Sequence, residues 1–261
     1  MLRFAIVLPL VALLTSCAAP SMIPTTAVAE LAPTGKIRAA INFGNSILAT
    51  KDVTTGEARG VSVDLARELA RRLAVPVELV TFNTAGEVVD AFRNGTIDVG
   101  FVAIDPARAV DISYTEPYVV IEGAYLVTRD SPIRNNAEVD RAGTRVVVGA
   151  KSAYDLYLSR ELKLATIVRA PSSPAVTDFF LAQKLDVAAG VRQQLEADAK
   201  RLPGLRLLDG RFMLINQAMG TPHGRDAGAE YLRDFVATMK SSGFVAEALK
   251  RNGIEGAAVA P

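Results

Sequence analysis

The sequence is poor in the residues that most often carry chemistry, because its 261 residues include one cysteine and one histidine, Cys17 and His223. A structural zinc site takes about four nitrogen or sulfur ligands, which argues against a metal centre here. A Ser–His or Cys–His nucleophilic pair would have to use His223, which lies in a Thr-Pro-His-Gly turn and is expected on the surface. We therefore predict neither a metal ion nor a cofactor.

An excess of one charge is also missing, since 29 Lys and Arg residues stand against 28 Asp and Glu residues. The charges are mixed along the chain, whereas binding to phosphate backbones needs a clustered basic surface. We therefore expect no nucleic-acid partner. Apolar residues make up 50% of the sequence, which is enough for a full-sized core without disulfides.

The first residues are typical of an exported protein. Arg3 precedes an apolar segment, 4–14, which is shorter than the roughly 20 residues that span a bilayer and indicates a signal peptide. The next residues, Leu-Thr-Ser-Cys, resemble the bacterial lipobox, so we expect residues 1–16 to be removed and Cys17 to carry lipid. Cleavage before Glu30 is the alternative. Residues 17–34 are rich in Ala, Pro, Thr and Ser and are predicted to form a flexible tether.

From residue 35 onward, β-rich segments alternate with amphipathic helical segments, which predicts an α/β fold with mostly parallel sheets flanked by helices. The pattern occurs twice, because five residues of the first half match five of the second at one constant offset. Asp90, Phe92, Ile97, Asp98 and Val99 correspond in order to Asp178, Phe180, Leu185, Asp186 and Val187. We predict two lobes joined by a two-strand hinge near 122–127 and 211–218. Lobe 1 is 35–122 plus 217–254, lobe 2 is 123–216, and 255–261 form a tail.

Two strand ends are candidates for a ligand site. The predicted strand 97–104 ends at Ile104, where Asp105 is expected to cap a helix that begins at Pro106 and carries Arg108 one turn later. A helix start favours an anion, and a guanidinium suits bidentate pairing with a carboxylate. In the second half, Ser152 is expected to cap a helix facing this point. The alternative interpretation is that Arg108 is an ordinary surface arginine and that Ser152 is only a helix cap.

The chain from about residue 35 to 254 resembles bacterial extracellular solute-binding proteins of family 3, the polar amino-acid class. The resemblance is carried by Gly60-Val61-Ser62-Val63-Asp64-Leu65, Gly95-Thr96-Ile97-Asp98-Val99, Asp105-Pro106-Ala107-Arg108, Tyr114-Thr115-Glu116-Pro117-Tyr118 and Ser241-Ser242-Gly243-Phe244. It implies a two-lobed periplasmic clamshell that closes over its ligand. It also implies that Arg108 binds the ligand carboxylate, with backbone groups from Ala103, Asp105, Ser152 and Ala153.

The sequence departs from that pattern where family members bind an α-amino group. Where family members carry an aromatic residue after the first strand, this chain has Asn45. Asn42 and Phe43 lie close by in the sequence and are kept as candidate ligand-binding residues. At the later position where family members carry an acidic residue, this chain has Val191, which is followed by Arg192. An unpaired buried ammonium would be costly, which puts an ordinary α-amino acid in doubt. Arg192 either binds a second anionic group or points outward.

The resemblance implies a monomeric lipoprotein on the periplasmic side of the cell envelope, held in the membrane by its lipid. It would pass a small carboxylate-bearing solute to the permease of an ABC importer. Two alternatives remain open. One is an enzyme similar to periplasmic cyclohexadienyl dehydratases, with Glu116 or Glu122 as the candidate general acid, and the other is a sensor or partner-binding module.

Overall fold

The structure is a computed structural model that describes residues 24–261. The predicted signal peptide and lipid-bearing Cys17 lie outside the described residues. Within 24–261, no helix is both long and apolar enough to span a bilayer.

Helices and strands alternate through most of the described chain. The helices are α1 (Thr25–Leu31), α2 (Val61–Leu73), α3 (Ala85–Arg93), α4 (Ala153–Glu161), α5 (Val176–Ala182), α6 (Arg192–Arg201), α7 (Asp226–Ser241) and α8 (Phe244–Arg251). The strands are β1 (Ile37–Asn42), β2 (Thr50–Lys51), β3 (Ala58–Arg59), β4 (Val77–Phe82), β5 (Val99–Ala103), β6 (Ile112–Thr128), β7 (Arg145–Gly149), β8 (Thr166–Ala170), β9 (Val187–Val191), β10 (Leu205–Leu207), β11 (Met213–Pro222) and β12 (Ala258–Val259).

The strands confirm the predicted α/β clamshell, in which each lobe contributes a mostly parallel half to one continuous ten-stranded sheet. In lobe 1, β4, β1 and β5 run parallel, and β11 adds antiparallel to β5. In lobe 2, β8, β7 and β9 run parallel, and β6 adds antiparallel to β9. Each lobe therefore has the same arrangement of three parallel strands and one antiparallel crossing strand.

The two crossing strands, β6 and β11, pair with each other from Ile112↔Pro222 to Gly123↔Met213 and connect the lobes. They are the connections that the sequence predicted as a hinge, and the exact lobe boundaries stay a prediction. The last helices return to lobe 1, because α7 packs on β6 and α8 packs on α2. Leu232, Phe235 and Met239 of α7 are buried there, and Gly243 ends this helical stretch with a positive φ of 79°.

The predicted tether is wrong for residues 25–31, which form helix α1. Ala27 and Leu31 lie four residues apart on one face of this helix, and both are completely buried. The helix packs on α7, where Gly228 donates its N–H to the Glu30 side chain (2.8 Å). An added Cβ at Gly228 would lie 3.0 Å from Leu31, so a larger residue there would require the Leu31 side chain to shift by a few tenths of an ångström.

The predicted tail contains a short strand. Within 255–261, β12 pairs antiparallel with β6, placing Ala258 opposite Val120. The Ala260 N–H then donates to the Tyr118 carbonyl (3.2 Å), and Ala260 is buried. The small residues of this segment allow it to lie against the sheet, so it belongs to lobe 1.

Candidate functional site

The segment after β5 forms a tight turn, so the helix predicted from Pro106 is wrong. The Asp105 carboxylate accepts the Ala107 N–H (2.9 Å), and the Asp105 carbonyl accepts the N–H groups of Arg108 and Ala109 (both 3.0 Å). The chain then reaches β6 at Ile112 before a second helical turn can form. Asp105 therefore caps a single turn, which still turns Arg108 back toward the end of β5.

Arg108 is a buried guanidinium, with only 3% of the residue exposed. It donates to the Ala103 carbonyl of lobe 1 (3.0 Å) and to the Lys151 carbonyl of lobe 2 (2.9 Å). Within residues 24–261, no carboxylate forms an ion pair with it, since neighbouring Asp105 pairs with Arg160 (2.8 Å). Burial lowers the pKa of Arg108 from its ordinary value, because the desolvated charge lacks a matching partner.

Lobe 2 approaches this point with the start of α4. The Ser152 hydroxyl accepts the Asp155 N–H (3.0 Å), which confirms Ser152 as the helix cap. Lys151, just before it, adopts a positive φ of 57°. That bend directs the Lys151 carbonyl to Arg108 in the opposite lobe.

A small cavity of about 40 Å³ lies between the two lobes at Arg108. Six of the residues that the sequence nominated line it, namely Asn42, Asn45, Ala103, Arg108, Ser152 and Ala153. The other lining residues are Gly44, Ala85, Val102, Tyr154, Ser173, Val191, Ile215 and Gln217. The cavity therefore combines residues at the ends of the parallel strands with Ile215 and Gln217 of the crossing strand β11, as expected for a ligand site in open α/β sheets.

Three nominated residues do not line this cavity. Phe43 lies under Lys51, whose Nζ is 5.4 Å from the ring centroid. Asp105 is buried but faces Arg160. Arg192 donates through Nε to Glu122 (2.8 Å) and through Nη2 to the Gly210 carbonyl, so the idea that it supplies a second cation to the cavity is wrong in this structure.

Tyr154 is the main lining residue that the sequence interpretation missed. It is 2% exposed, and its hydroxyl lies beside the hydroxyls of Ser152 and Ser173 without a hydrogen bond of regular geometry to any described residue. Burial raises the pKa of Tyr154, while the nearby Ser173 and Ser152 hydroxyls oppose part of the rise. Its position directly after Ser152 and Ala153 was the available signal, because a residue in the first turn of α4 lies beside the helix start.

The other side chains with chemistry lie away from this cavity. Hydrogen bonds from Arg211 and Arg192 hold the pKa of Glu122 below its ordinary value, so its carboxylate is engaged outside the cavity. Neither Glu122 nor exposed Glu116 lines the cavity. His223 bonds to Ser113 (2.9 Å) and to the Ala109 carbonyl (2.7 Å). Across residues 24–261, no group of three His, Cys, Asp or Glu side chains is arranged to hold a metal ion.

Two parallel-sheet lobes, two crossing strands and a cavity between the strand ends define a clamshell binding protein. The model of the family "Bacterial extracellular solute-binding proteins, family 3" matches residues 49–253, and the chain belongs to this family. A curated relative is the glutamine-binding protein of Geobacillus stearothermophilus, which is 24% identical over 215 residues, covering 79% of this chain and 78% of the relative.

Solved structures show the same fold. The solute receptor for L-cysteine of Neisseria gonorrhoeae has a TM-score of 0.76 at 20% identity, covering 88% of this chain and 95% of the receptor. An ancestral amino acid-binding protein, described as a precursor of cyclohexadienyl dehydratase, has a TM-score of 0.72 at 18% identity and covers 86% of this chain and 97% of its own. At these identities the likeness concerns the fold alone.

Proposed function

We propose that this protein captures a small carboxylate-bearing solute between its lobes and delivers it to the permease of an ABC importer. The single observation that carries the proposal is the buried Arg108, which has no acidic partner among the described residues. An isolated buried charge costs several kcal/mol, and a ligand carboxylate would offset that cost. Family membership and the small-carboxylate ligands of the named relatives support this assignment.

Closure of the lobes would complete the site. Arg108 holds position through the Ala103 and Lys151 carbonyls, which uses two of its five N–H groups and leaves the others for a ligand. Two ion pairs also join the lobes outside the cavity, Asp105 to Arg160 (2.8 Å) and Asp90 to Lys151 (3.1 Å). A ligand that binds Arg108 and the α4 helix start together would favour this closed arrangement.

The proposed form is a monomeric lipoprotein on the periplasmic side of the envelope, anchored through Cys17. Helix α1 supports this form, since cleavage before Glu30 would remove most of a helix whose Ala27 is buried. The Glu30 carbonyl also accepts a hydrogen bond from Arg225 (2.8 Å). Processing at Cys17 keeps the whole helix. It leaves only a short segment, 18–24, between the lipid and the folded protein.

The proposal is tested by removing the guanidinium. Arg108→Ala should abolish binding of carboxylate ligands while the protein stays folded, because the site loses its charged hydrogen bonds and no large core side chain. A thermal-shift screen of amino, hydroxy, oxo and dicarboxylic acids identifies ligands, since a ligand at 100 times its Kd stabilises by roughly 2.7 kcal/mol. Calorimetry with the best ligand then compares the variants.

The matched control is Arg71→Ala, which removes an exposed guanidinium paired with Glu68 on α2. This variant should keep the affinity of the unmodified protein. Equal affinity of Arg108→Ala and Arg71→Ala would rule out the proposed site. Formation of phenylpyruvate from prephenate by the purified protein would instead support the dehydratase alternative.

A further inference from the structure

The cavity contains a single charge. Arg108 is the only charged side chain among its lining residues, the rest being apolar, hydroxyl or amide side chains and glycine. The two cations that adjoin lining residues in the sequence are engaged elsewhere, because Lys151 Nζ pairs with Asp90 (3.1 Å) and Arg192 Nε with Glu122 (2.8 Å). A ligand that neutralises the Arg108 guanidinium therefore needs one negative charge and no further charged group.

Uncharged polar atoms complete the lining. The Asn45 Oδ1 atom is buried without a hydrogen-bond partner among the described residues. The Tyr154 hydroxyl is buried beside the hydroxyls of Ser152 and Ser173, without a hydrogen bond of regular geometry to any described residue. An unpartnered buried polar atom costs about 1–3 kcal/mol, so Asn45 Oδ1 favours a ligand that bonds to it, and the Tyr154 hydroxyl is placed to form a better-aligned hydrogen bond with the same ligand. Tyr154 can donate to a carbonyl or accept from a hydroxyl, and Asn45 Oδ1 can accept from a hydroxyl or amide.

These features disfavour an ammonium group on the ligand. An α-ammonium would bring a positive charge into a cavity that already holds Arg108 and has no lining carboxylate. Asn42 Oδ1, one of the amide acceptors, is already used by the Gly44 N–H (2.9 Å). Gly44 is fixed there, because an added Cβ would lie 2.4 Å from the Asn83 carbonyl oxygen.

We infer that the ligand is a small monocarboxylate whose other polar groups are uncharged, a 2-hydroxy or 2-oxo acid in place of a zwitterionic α-amino acid. The inference rests on the proposed function, since it assumes that Arg108 binds the carboxylate. It gives the chain a ligand class different from the amino acids named for its relatives. The carboxylate contacts Arg108 and the α4 start, and the hydroxyl or oxo group contacts Tyr154 or Asn45.

The test uses pairs of ligands that differ only at the α-substituent: L-lactate with L-alanine, and L-2-hydroxy-4-methylpentanoate with L-leucine. Pyruvate and 4-methyl-2-oxopentanoate give the oxo forms, and succinate tests a second carboxylate. Calorimetry should show hydroxy or oxo acids binding at least about 10-fold more tightly than their amino partners. Equal or tighter binding of an amino acid that Arg108→Ala abolishes would overturn the inference and leave the proposed function standing. If no carboxylate binds, both fail.

A charge substitution should reverse the preference. Asn42→Asp places a carboxylate in the cavity while keeping an oxygen that can accept the Gly44 N–H. We expect this variant to bind amino acids at least about 10-fold more tightly than the unmodified protein and hydroxy acids more weakly. Asn135→Asp is the control, since it adds the same charge at an exposed position away from the cavity. An Asn42→Asp variant with unchanged preference would overturn the inference.

Discussion

The two lobes carry the same aspartate–arginine contact at equivalent places in their sheets. In lobe 1, Asp98 precedes β5 and accepts the backbone N–H (3.0 Å) and Nε–H (2.9 Å) of Arg38 in β1. In lobe 2, Asp186 precedes β9 and accepts the same two groups of Arg145 in β7, at 2.8 and 2.9 Å. Each aspartate thereby fixes the register of two neighbouring parallel strands.

The two contacts differ in burial and in what they hold together. The Asp98 side chain is fully buried and binds a second guanidinium, that of Arg225 (2.9 Å), whereas the Asp186 side chain is 38% exposed. Burial opposes the ionisation of Asp98, but the hydrogen bonds from Arg38 and Arg225 outweigh it and hold its pKa below the ordinary value. One motif is thus a core element in lobe 1 and a surface contact in lobe 2.

The largest effect is expected from Asp98→Ala. It leaves two guanidiniums without their shared partner in the core, so we expect a loss of about 3–5 kcal/mol in the free energy of unfolding. The matched variant Asp186→Ala, at the exposed contact, should lose at most about 1 kcal/mol. Urea denaturation of both variants measures the difference. Similar losses would show that burial does not distinguish the two contacts.

The sequence predicted the repeated arrangement because it depends on local patterns. The constant offset between Asp98 and Asp186 aligned the lobes, and the capping signal at Ser152 marks a real helix start. The contact of Arg225 with Asp98 could not be predicted from the sequence, since it joins residues far apart in the chain. Only the folded lobe brings them together.

The candidate site was predictable where it follows strand ends and helix starts. Arg108 and Ser152 lie in such places, and both line the cavity. Gln217 was missed because it lies on the crossing strand β11. Side chains alternate between the two faces of a strand, and the sequence alone does not tell which face of β11 points to a ligand. The helix predicted after Asp105 failed because Asp105 and Pro106 suit a single turn as well as a helix start.

A smaller effect should separate the caps of the two lobes. The Thr84 hydroxyl accepts the Glu87 N–H (3.2 Å) at the start of α3, and Ser152 does the same for Asp155 at α4. Replacing either residue by alanine should cost about 1 kcal/mol of stability. Because only Ser152 lines the cavity, only Ser152→Ala should also weaken ligand binding severalfold.

Thermal denaturation and calorimetry of Thr84→Ala and Ser152→Ala check this prediction. Comparable losses of stability together with unequal losses of affinity are the expected pattern. An equal loss of affinity in Thr84→Ala would mean that the cap in lobe 1 also shapes the cavity, and the assigned difference between the lobes would not hold.

The smallest effect concerns acid stability, which should depend partly on lobe 1. Arg71 and Arg72 bind Glu68 on α2 and lower its pKa from 4.5 to about 2. A carboxylate with a lowered folded-state pKa stabilises the protein fully above its unfolded pKa, and this contribution is lost as the pH falls toward 2. Glu68→Gln should therefore be less stable by roughly 1 kcal/mol at pH 7 and should converge with the unmodified protein in acid. Urea denaturation between pH 7 and 3 follows the difference, with exposed Glu161→Gln of lobe 2 as the control. A difference that does not shrink with falling pH would mean that Glu68 acts through packing and not through its charge.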